Sequence, residues 1–340
     1  MTGRRRQGTG RITLDDVARV AEVSPITVSR ALRSPEKVSA ATRERVERAA
    51  AKVGYVPNRL AGALASNASR VVGFVAATLN NSIFGETIQA FIDVLDDAGF
   101  QLLVGASGYQ AEREEALIRE FLSHRVAGLA LVGTTHTAGA RRMLAAAGVP
   151  VVELWELADR PIDMVVGFDN RGAARAVTER LIERGCRRLV AAVSLIGDER
   201  RSETRLAGFR DAAAETGVAI AGEIRIEQPL LINESGARIL DYIRSLDGVD
   251  GVFCTNEFMA TGTLVRCQAA GIRVPDDIAI VGMGDTQIAS VVPPGLTTIR
   301  FPDYEIGHTA AETLIERMAG RDFDTPSVRL DWNLVLRGTA

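Results

Sequence analysis

The 340-residue chain is poor in cysteine, histidine and aromatic residues, and each shortage closes off a class of function. Its three cysteines, Cys186, Cys254 and Cys267, are odd in number and show no CxxC spacing. That argues against a disulfide-stapled scaffold and for small core thiols in a reducing compartment. The three histidines, His124, His136 and His308, are scattered, so no metal cluster is expected and no cofactor is called for. No apolar run of about 18 residues occurs, and the basic opening MTGRRRQGTGR leads into no apolar segment. The chain therefore reads as neither membrane-spanning nor secreted, but cytoplasmic. The stretch GMG belongs to no GxGxxG placed between an early strand and a helix, and no nucleophile elbow, Ser-His-Asp order or catalytic carboxylate pair stands out. Catalysis has no support in the sequence.

What is present is a large apolar fraction, 46%, enough for one or two cores, and a divided charge. Residues 1–70 carry fourteen Lys and Arg against six Asp and Glu, a balance of +8, which leaves −11 on the remainder of a chain whose total is −3. Only the head is suited to a polyanion, because like charge keeps the acidic body away from phosphate. Within Leu14–Val53 three short bursts show helical spacing: LDDVARVAE, PITVSRAL and ATRERVERAAAKVG. Only VS separates the first two, so a tight turn is expected there. Gly54 is placed to end the third helix. With Ser24 as N-cap, Pro25 falls at the first helical position, where its missing N–H costs nothing. Val28 and Leu32 then face Val17, Ala18 and Ala21. Pro25, Ile26, Ser29 and Arg30 face outward, with Thr27 at the edge. This is the pattern of a helix-turn-helix; the alternative, a purely structural helical hairpin, leaves the +8 charge unexplained.

From Val71 onward short apolar runs alternate with helices of ten or more residues. VVGFVAA, QLLVGA, GLALVG, VPVVEL, DMVVGF, RRLVAAV, EIRIEQ, GVFCT and IAIVGM read as strands. Glu86–Ala98, Glu112–Ser123, Gly172–Arg184, Leu206–Thr216, Ser235–Leu246 and Met259–Ala270 read as helices. The alternation predicts parallel sheets of right-handed βαβ units, too many strands for one sheet, and hence two lobes with a ligand cleft between them. Residues 57–70, PNRLAGALASNASR, are marginal as a helix and join the two parts. Thr135, Glu153, Asn256 and Glu257 follow strands and are placed to project into the cleft.

The head, ITLDDVARVAEVSPITVSRALRSPEKVSAATRERVERAAAKVGYVPNRLAGALAS, resembles the DNA-binding head and hinge of the lactose-repressor (LacI) family. VAGLAL, VPVVEL, RLAGF, CTNEFMATG, RVPDDIAIVGMGD and LTTIRF continue the likeness through the body. SPEKVS, TTHT, VVEL, VGFDN and VFCTN bring it nearest to the gluconate-operon repressors of that family. The resemblance implies a small all-α helix-turn-helix head plus an α/β body, two-lobed and type I periplasmic-binding-protein-like with parallel sheets. It implies a head at 1–56, a hinge helix and linker at 57–70, and an effector-binding and dimerisation body at 71–340. Lobe N is expected at about 71–166 and 300–325, and lobe C at about 167–298 and 326–340.

The same resemblance implies a homodimeric repressor of double-stranded operator DNA, controlled by a small sugar or sugar acid such as gluconate. Pro25, Ile26 and Arg30 match base-reading positions; Thr13, Thr27, Ser29, Thr42 and Asn58 match phosphate contacts. Leu64 matches a leucine that wedges into the minor groove. Because Pro25 and Ile26 cannot donate from their side chains, Arg30 is expected to be the main hydrogen-bonding discriminator. Arg205 in ETRLAGF matches an effector-binding arginine, and Phe84 a ligand-facing aromatic. Many relatives place two acids after VG plus an aromatic. This chain has VGMGD, with Gly284 in the first place and Asp285 in the second, and losing one carboxylate favours an anionic ligand. A helix-surface salt bridge is the competing account of Arg205 and Glu257, and Thr135 and Glu153 are equally well read as ordinary strand-end residues. Two rival functions remain: a solute-binding protein, which should carry a signal peptide and no basic head, and an α/β enzyme with an accessory DNA-binding module, which should turn a ligand over.

Overall fold

The computed structural model describes residues 12–56, 69–80, 82–228, 231–323 and 327–340. The chain divides into two compact units, Met1–Ser69 and Arg70–Ala340. Asn58, Leu64 and the rest of 57–68 lie outside the described residues.

In the head, α1 (Leu14–Ala21) ends at Glu22, whose backbone turns left-handed with φ 52°. The next helix, α2 (Pro25–Arg33), follows within a few residues and has Pro25 in its first turn; the Ser24 hydroxyl accepts from the Thr27 N–H at 3.2 Å. The last, α3 (Ala40–Val53), is capped by Ser39 and ends at Gly54, φ 69°. Val17, Ala18, Ala21, Val28, Ala31, Val46, Ala49 and Ala50 form the buried core, with Leu32 packed against it. A core this rich in alanine brings three thin helices close together and leaves the outer face of α2 free.

The body holds two six-stranded sheets. The first runs Ser327–Leu330 (β11), Met164–Phe168 (β5), Val151–Leu154 (β4), Gly128–Val132 (β3), Val71–Ala76 (β1), Gln101–Ala106 (β2), with every pairing parallel. The second runs Asn333–Val335 (β12), Thr297–Arg300 (β10), Ala279–Met283 (β9), Gly251–Cys254 (β8), Arg188–Leu195 (β6), Ala219–Glu227 (β7), parallel except for the β12 edge. Helices cover both sheets: α4 (Ser82–Asp97), α5 (Ala111–Ser123), α6 (Ala138–Ala147), α7 (Asn170–Glu183), α8 (Arg201–Thr216), α9 (Ile232–Arg244), α10 (Glu257–Ala269), α11 (Gln287–Val291) and α12 (Asp303–Met318). Burial on both faces is why β3, β5 and β9 are unbroken apolar runs without a polar side.

The chain crosses between lobes three times: after β5, between β10 and α12, and between β11 and β12. Because β5 and β11 pair with each other in the first sheet, residues 167, 168 and 327–330 belong to lobe N. The boundaries expected near 166 and 326 move accordingly. Three helices, α6, α11 and α12, and three strands, β10 to β12, have no counterpart in the sequence expectation. The buried face of α12 is Ile306, Gly307, Ala310, Ala311 and Leu314, too alanine- and glycine-rich to stand out as an apolar stripe. Its Gly307 is required by contact: a Cβ there would come 2.1 Å from the Thr87 carbonyl oxygen of α4.

Candidate DNA-binding face and effector cleft

On α2, Pro25 and Arg30 are exposed, Ile26 is 70% exposed, and Thr27 and Ser29 are half-buried. The five residues predicted for this helix thus share one open face. Ile26, Ser29 and Arg30 line a surface recess of about 310 Å³ with Ser34 and Lys37, the last a cation the sequence reading did not single out. Among the described residues no side chain pairs with Arg30, so its guanidinium fork is free to meet a base edge or a phosphate. Thr42 is half-buried, its hydroxyl 2.9 Å from Ser39 at the head of α3. Thr13 is exposed and donates to Asp16 from its backbone N–H at 2.9 Å and from its hydroxyl at 2.8 Å. That makes Thr13 the lock on the start of α1; a phosphate contact has to share it.

In the body, loops from the carboxyl ends of β1, β2, β3, β4 and β6 enclose a cavity of about 50 Å³, whose lining includes Tyr109, Glu114, Thr135, Glu156, Glu199 and Arg201. Of two arginines one helical turn apart on α8, Arg201 lines this cavity and Arg205 does not. Arg201 is buried, 3.1 Å from Glu199 and 3.5 Å from Glu156 of the other lobe, with its guanidinium 5.8 Å from the Phe84 ring centre. Arg205 is buried too, but its partners are neutral: the Asn170 side-chain oxygen and the Thr255 carbonyl, each at 2.9 Å. Its guanidinium lies 4.9 Å from the Phe301 ring centre, and among the described residues no carboxylate pairs with it. Burial pulls Arg205 down to about 10, Glu199 opposing that shift and Arg201 adding to it.

Aromatic rings link the two arginines. Phe84 meets Trp155 edge-on at 5.1 Å, Trp155 meets Phe301 edge-on at 5.9 Å, and Phe168 stacks on Phe301 at 5.0 Å. Trp155 is held in the left-handed region, φ 76°, an uncommon conformation for a bulky residue, and among the described residues its buried indole N–H has no partner.

The other predicted cleft residues divide. Thr135 lines the cavity. Asn256 caps α10, accepting from the Met259 N–H at 2.9 Å. Glu257, directly after it, is fully buried with one oxygen on the Thr286 N–H at 2.7 Å and the other without a partner among the described residues. The salt-bridge account of Arg205 and Glu257 is thereby excluded among the described residues.

Glu153 does not reach the cavity. Its side chain is fully buried, one oxygen 3.1 Å from His136 and the other accepting from the Ile162 N–H at 2.6 Å. The other nitrogen of His136 lies 2.6 Å from Glu114, which lines the cavity. Although burial opposes it, these two carboxylates push His136 up to about 9, so the imidazolium is the stable form. Asp285 is likewise occupied, 2.7 Å from both Arg300 and Arg337. Against the cost of its burial, those guanidiniums hold its carboxyl below the usual range. The sequence analysis assigns no role to Arg201, Trp155, Phe168, Phe301 or Asn170; VGFDN contains Phe168 and Asn170, and LTTIRF ends at Phe301.

A basic helix-turn-helix with an open second helix, on a two-lobed parallel α/β body with a polar cavity at its strand ends, defines a ligand-responsive DNA-binding regulator. The chain belongs to the LacI family of bacterial regulatory proteins. Residues 13–58 match the bacterial regulatory proteins, lacI family, and residues 178–340 the periplasmic binding protein-like domain. It is 37% identical to the HTH-type transcriptional regulator GntR of Pseudomonas aeruginosa over 330 residues, 97% of this chain and 96% of that one. A LacI-family transcriptional regulator from Silicibacter pomeroyi superimposes with TM-score 0.89 at 32% identity, covering 96% of this chain and 99% of that one. The lac repressor dimer bound to operator and the anti-inducer ONPF superimposes with TM-score 0.83 at 27% identity, covering 97% of this chain and 99% of that one. Among the described residues no helix is long and apolar enough to cross a membrane.

Proposed function

We propose that this regulator represses transcription in the cytoplasm as a homodimer on a palindromic operator, and that its effector is a sugar acid of the gluconate class. The observation that carries the effector class is Arg205: a buried guanidinium hydrogen-bonded to neutral partners, one helical turn from the Arg201 that lines the interlobe cavity, calls for an anion. The carboxylates that would repel such a ligand are already engaged, Glu153 by His136, Glu156 and Glu199 by Arg201, and Asp285 by Arg300 and Arg337. The cavity is small for a six-carbon acid, so effector entry must move the lobes, and that movement is what an effector has to offer the hinge. Calorimetric titration of the full chain with gluconate and related aldonates tests the reading. Saturable binding is expected; absence of binding by every aldonate overturns the effector class.

On DNA, Arg30 supplies the hydrogen-bonding discrimination, while Thr13, Thr27, Ser29, Thr42 and Asn58 hold register and Leu64 wedges the minor groove. Arg30→Ala should cost about 1–3 kcal/mol on the operator and relax selectivity at one base pair. Gel shifts on operator and random duplexes check this; equal losses on both would show that Arg30 contacts phosphate alone.

A further inference from the structure

Beside the cavity, the loop after β6 in lobe C meets the loop between β2 and α5 in lobe N, and each supplies what the other lacks. The helix α5 begins without a cap of its own, since Gln110 before it makes no side-chain hydrogen bond to the helix start. The first N–H groups of a helix have no partner inside it. The one on Ala111 donates instead to the Asp198 carboxylate of the other lobe, at 2.9 Å. The Asp198 N–H returns a bond in the opposite direction, donating to the Tyr109 carbonyl at 2.8 Å. Two bonds of opposite sense thus join residues 109 and 111 of lobe N to one residue of lobe C, and the positive end of α5 favours the carboxylate set on it.

The backbone on both sides is shaped for this contact. Gly108 and Tyr109 are both left-handed, φ 63° and 62°, an unfavourable state for tyrosine that the clasp on its carbonyl helps to hold. At Gly197 the loops come so close that a Cβ would stand 2.1 Å from the Tyr109 carbonyl oxygen, so only glycine fits there. The lobe N side is firmly anchored: in the first turn of α5, Glu114 lies 2.6 Å from His136, which lies 3.1 Å from Glu153 on β4. A second link crosses the lobes nearby, Arg201 to Glu156 at 3.5 Å. Tyr109, Ala111, Asp198 and Arg201 all line the cavity, so the clasp is part of its wall.

We propose that Asp198 is a latch: by capping α5 from the opposite lobe it holds the lobes closed over the cavity when no effector is bound, and its release sets how fast an effector enters. The role is positional and needs no contact between Asp198 and the ligand. The latch itself rests on the geometry of the two loops; that its release admits a sugar acid rests on the effector reading above. Because the closed cavity is small for a six-carbon acid, binding has to wait for the open form, and the association rate follows the population of that form.

Hydrogen exchange of the ligand-free full chain reads the latch at the amide of residue 198, whose acceptor, the Tyr109 carbonyl, no side-chain substitution removes. Asp198→Ala should raise exchange there by about tenfold, the usual worth of a carboxylate cap, after correction for the intrinsic effect of the new side chain. Asp198→Asn, whose amide oxygen still accepts from Ala111, should keep most of the protection. Gly197→Ala should raise exchange with the carboxylate intact, because its Cβ forces the loops apart. In stopped-flow mixing with gluconate, Asp198→Ala and Gly197→Ala should associate faster by the factor their exchange rises, and Asp198→Asn at close to the wild-type rate. Unchanged protection of amide 198 in Asp198→Ala overturns the latch, since the lobes then stay joined without it. A change confined to gluconate dissociation in that variant overturns it too, by making Asp198 a ligand contact. If no protein binds gluconate, the effector reading fails, and exchange at amide 198 still decides whether the latch exists.

Discussion

Replacing His136 by alanine should destabilise the body by about 3–5 kcal/mol near neutral pH, the expected cost of removing one partner from a buried ion pair. The imidazolium is fully buried between Glu114 and Glu153, and its loss leaves two carboxylates close together with no cation between them. The pH dependence has a definite sign. The folded-state pKa of about 9 lies above the ordinary 6.5, so the stabilisation is complete below about 6.5 and is lost as pH rises through 9. Urea unfolding followed by tryptophan fluorescence reads the body alone, since the two tryptophans, Trp155 and Trp332, both lie in it. Wild type should lose stability between those pH values and His136→Ala should show little slope. A variant within about 1 kcal/mol of wild type, with the same slope, would mean that the buried pairs carry no net charge.

Arg205→Met is expected to separate stability from function. The substitution removes a cation whose burial is unfavourable and deprives Asn170 and Thr255 of a donor. These effects oppose one another, so the ligand-free protein should change by only about 1 kcal/mol in either direction. Gluconate binding should instead weaken by about 2–5 kcal/mol, or roughly 30-fold or more, because the ligand carboxylate loses its buried counter-charge. Calorimetry with parallel unfolding curves measures both. Unfolding of the variant with retained ligand affinity would assign Arg205 to the scaffold.

These residues also show how far a sequence can be read. The head was legible because its signals are local: Ser24 as cap, Pro25 in the first turn and Gly54 at the end of α3 each act within a few residues. Arg205 was found through its motif. Arg201 was not, because RSETR reads as a polar approach to an apolar helix although it forms the first turn of α8. The aromatic box draws Phe84, Trp155, Phe168 and Phe301 from four separate segments, and no spacing rule connects them. Glu153 illustrates the opposite error. Its place at a strand end suggested a cleft residue, but strand alternation turned it inward, where only the fold could bring His136 and Glu114 to neutralise it. The pairing of Asp285 is hidden from sequence in the same way, because Arg337, which joins Arg300 on it, lies far away along the chain.

The claim that joins head to body is that a sugar acid held by Arg205 changes the protein's hold on DNA. It is tested by measuring affinity for a duplex selected by the chain from a random library, with and without saturating gluconate, in wild type and in Arg205→Met. Gluconate should shift wild-type affinity by about 5–150-fold, the usual range of such coupling, and leave Arg205→Met unmoved. An equal shift in both proteins, or none in wild type under saturation, would contradict it.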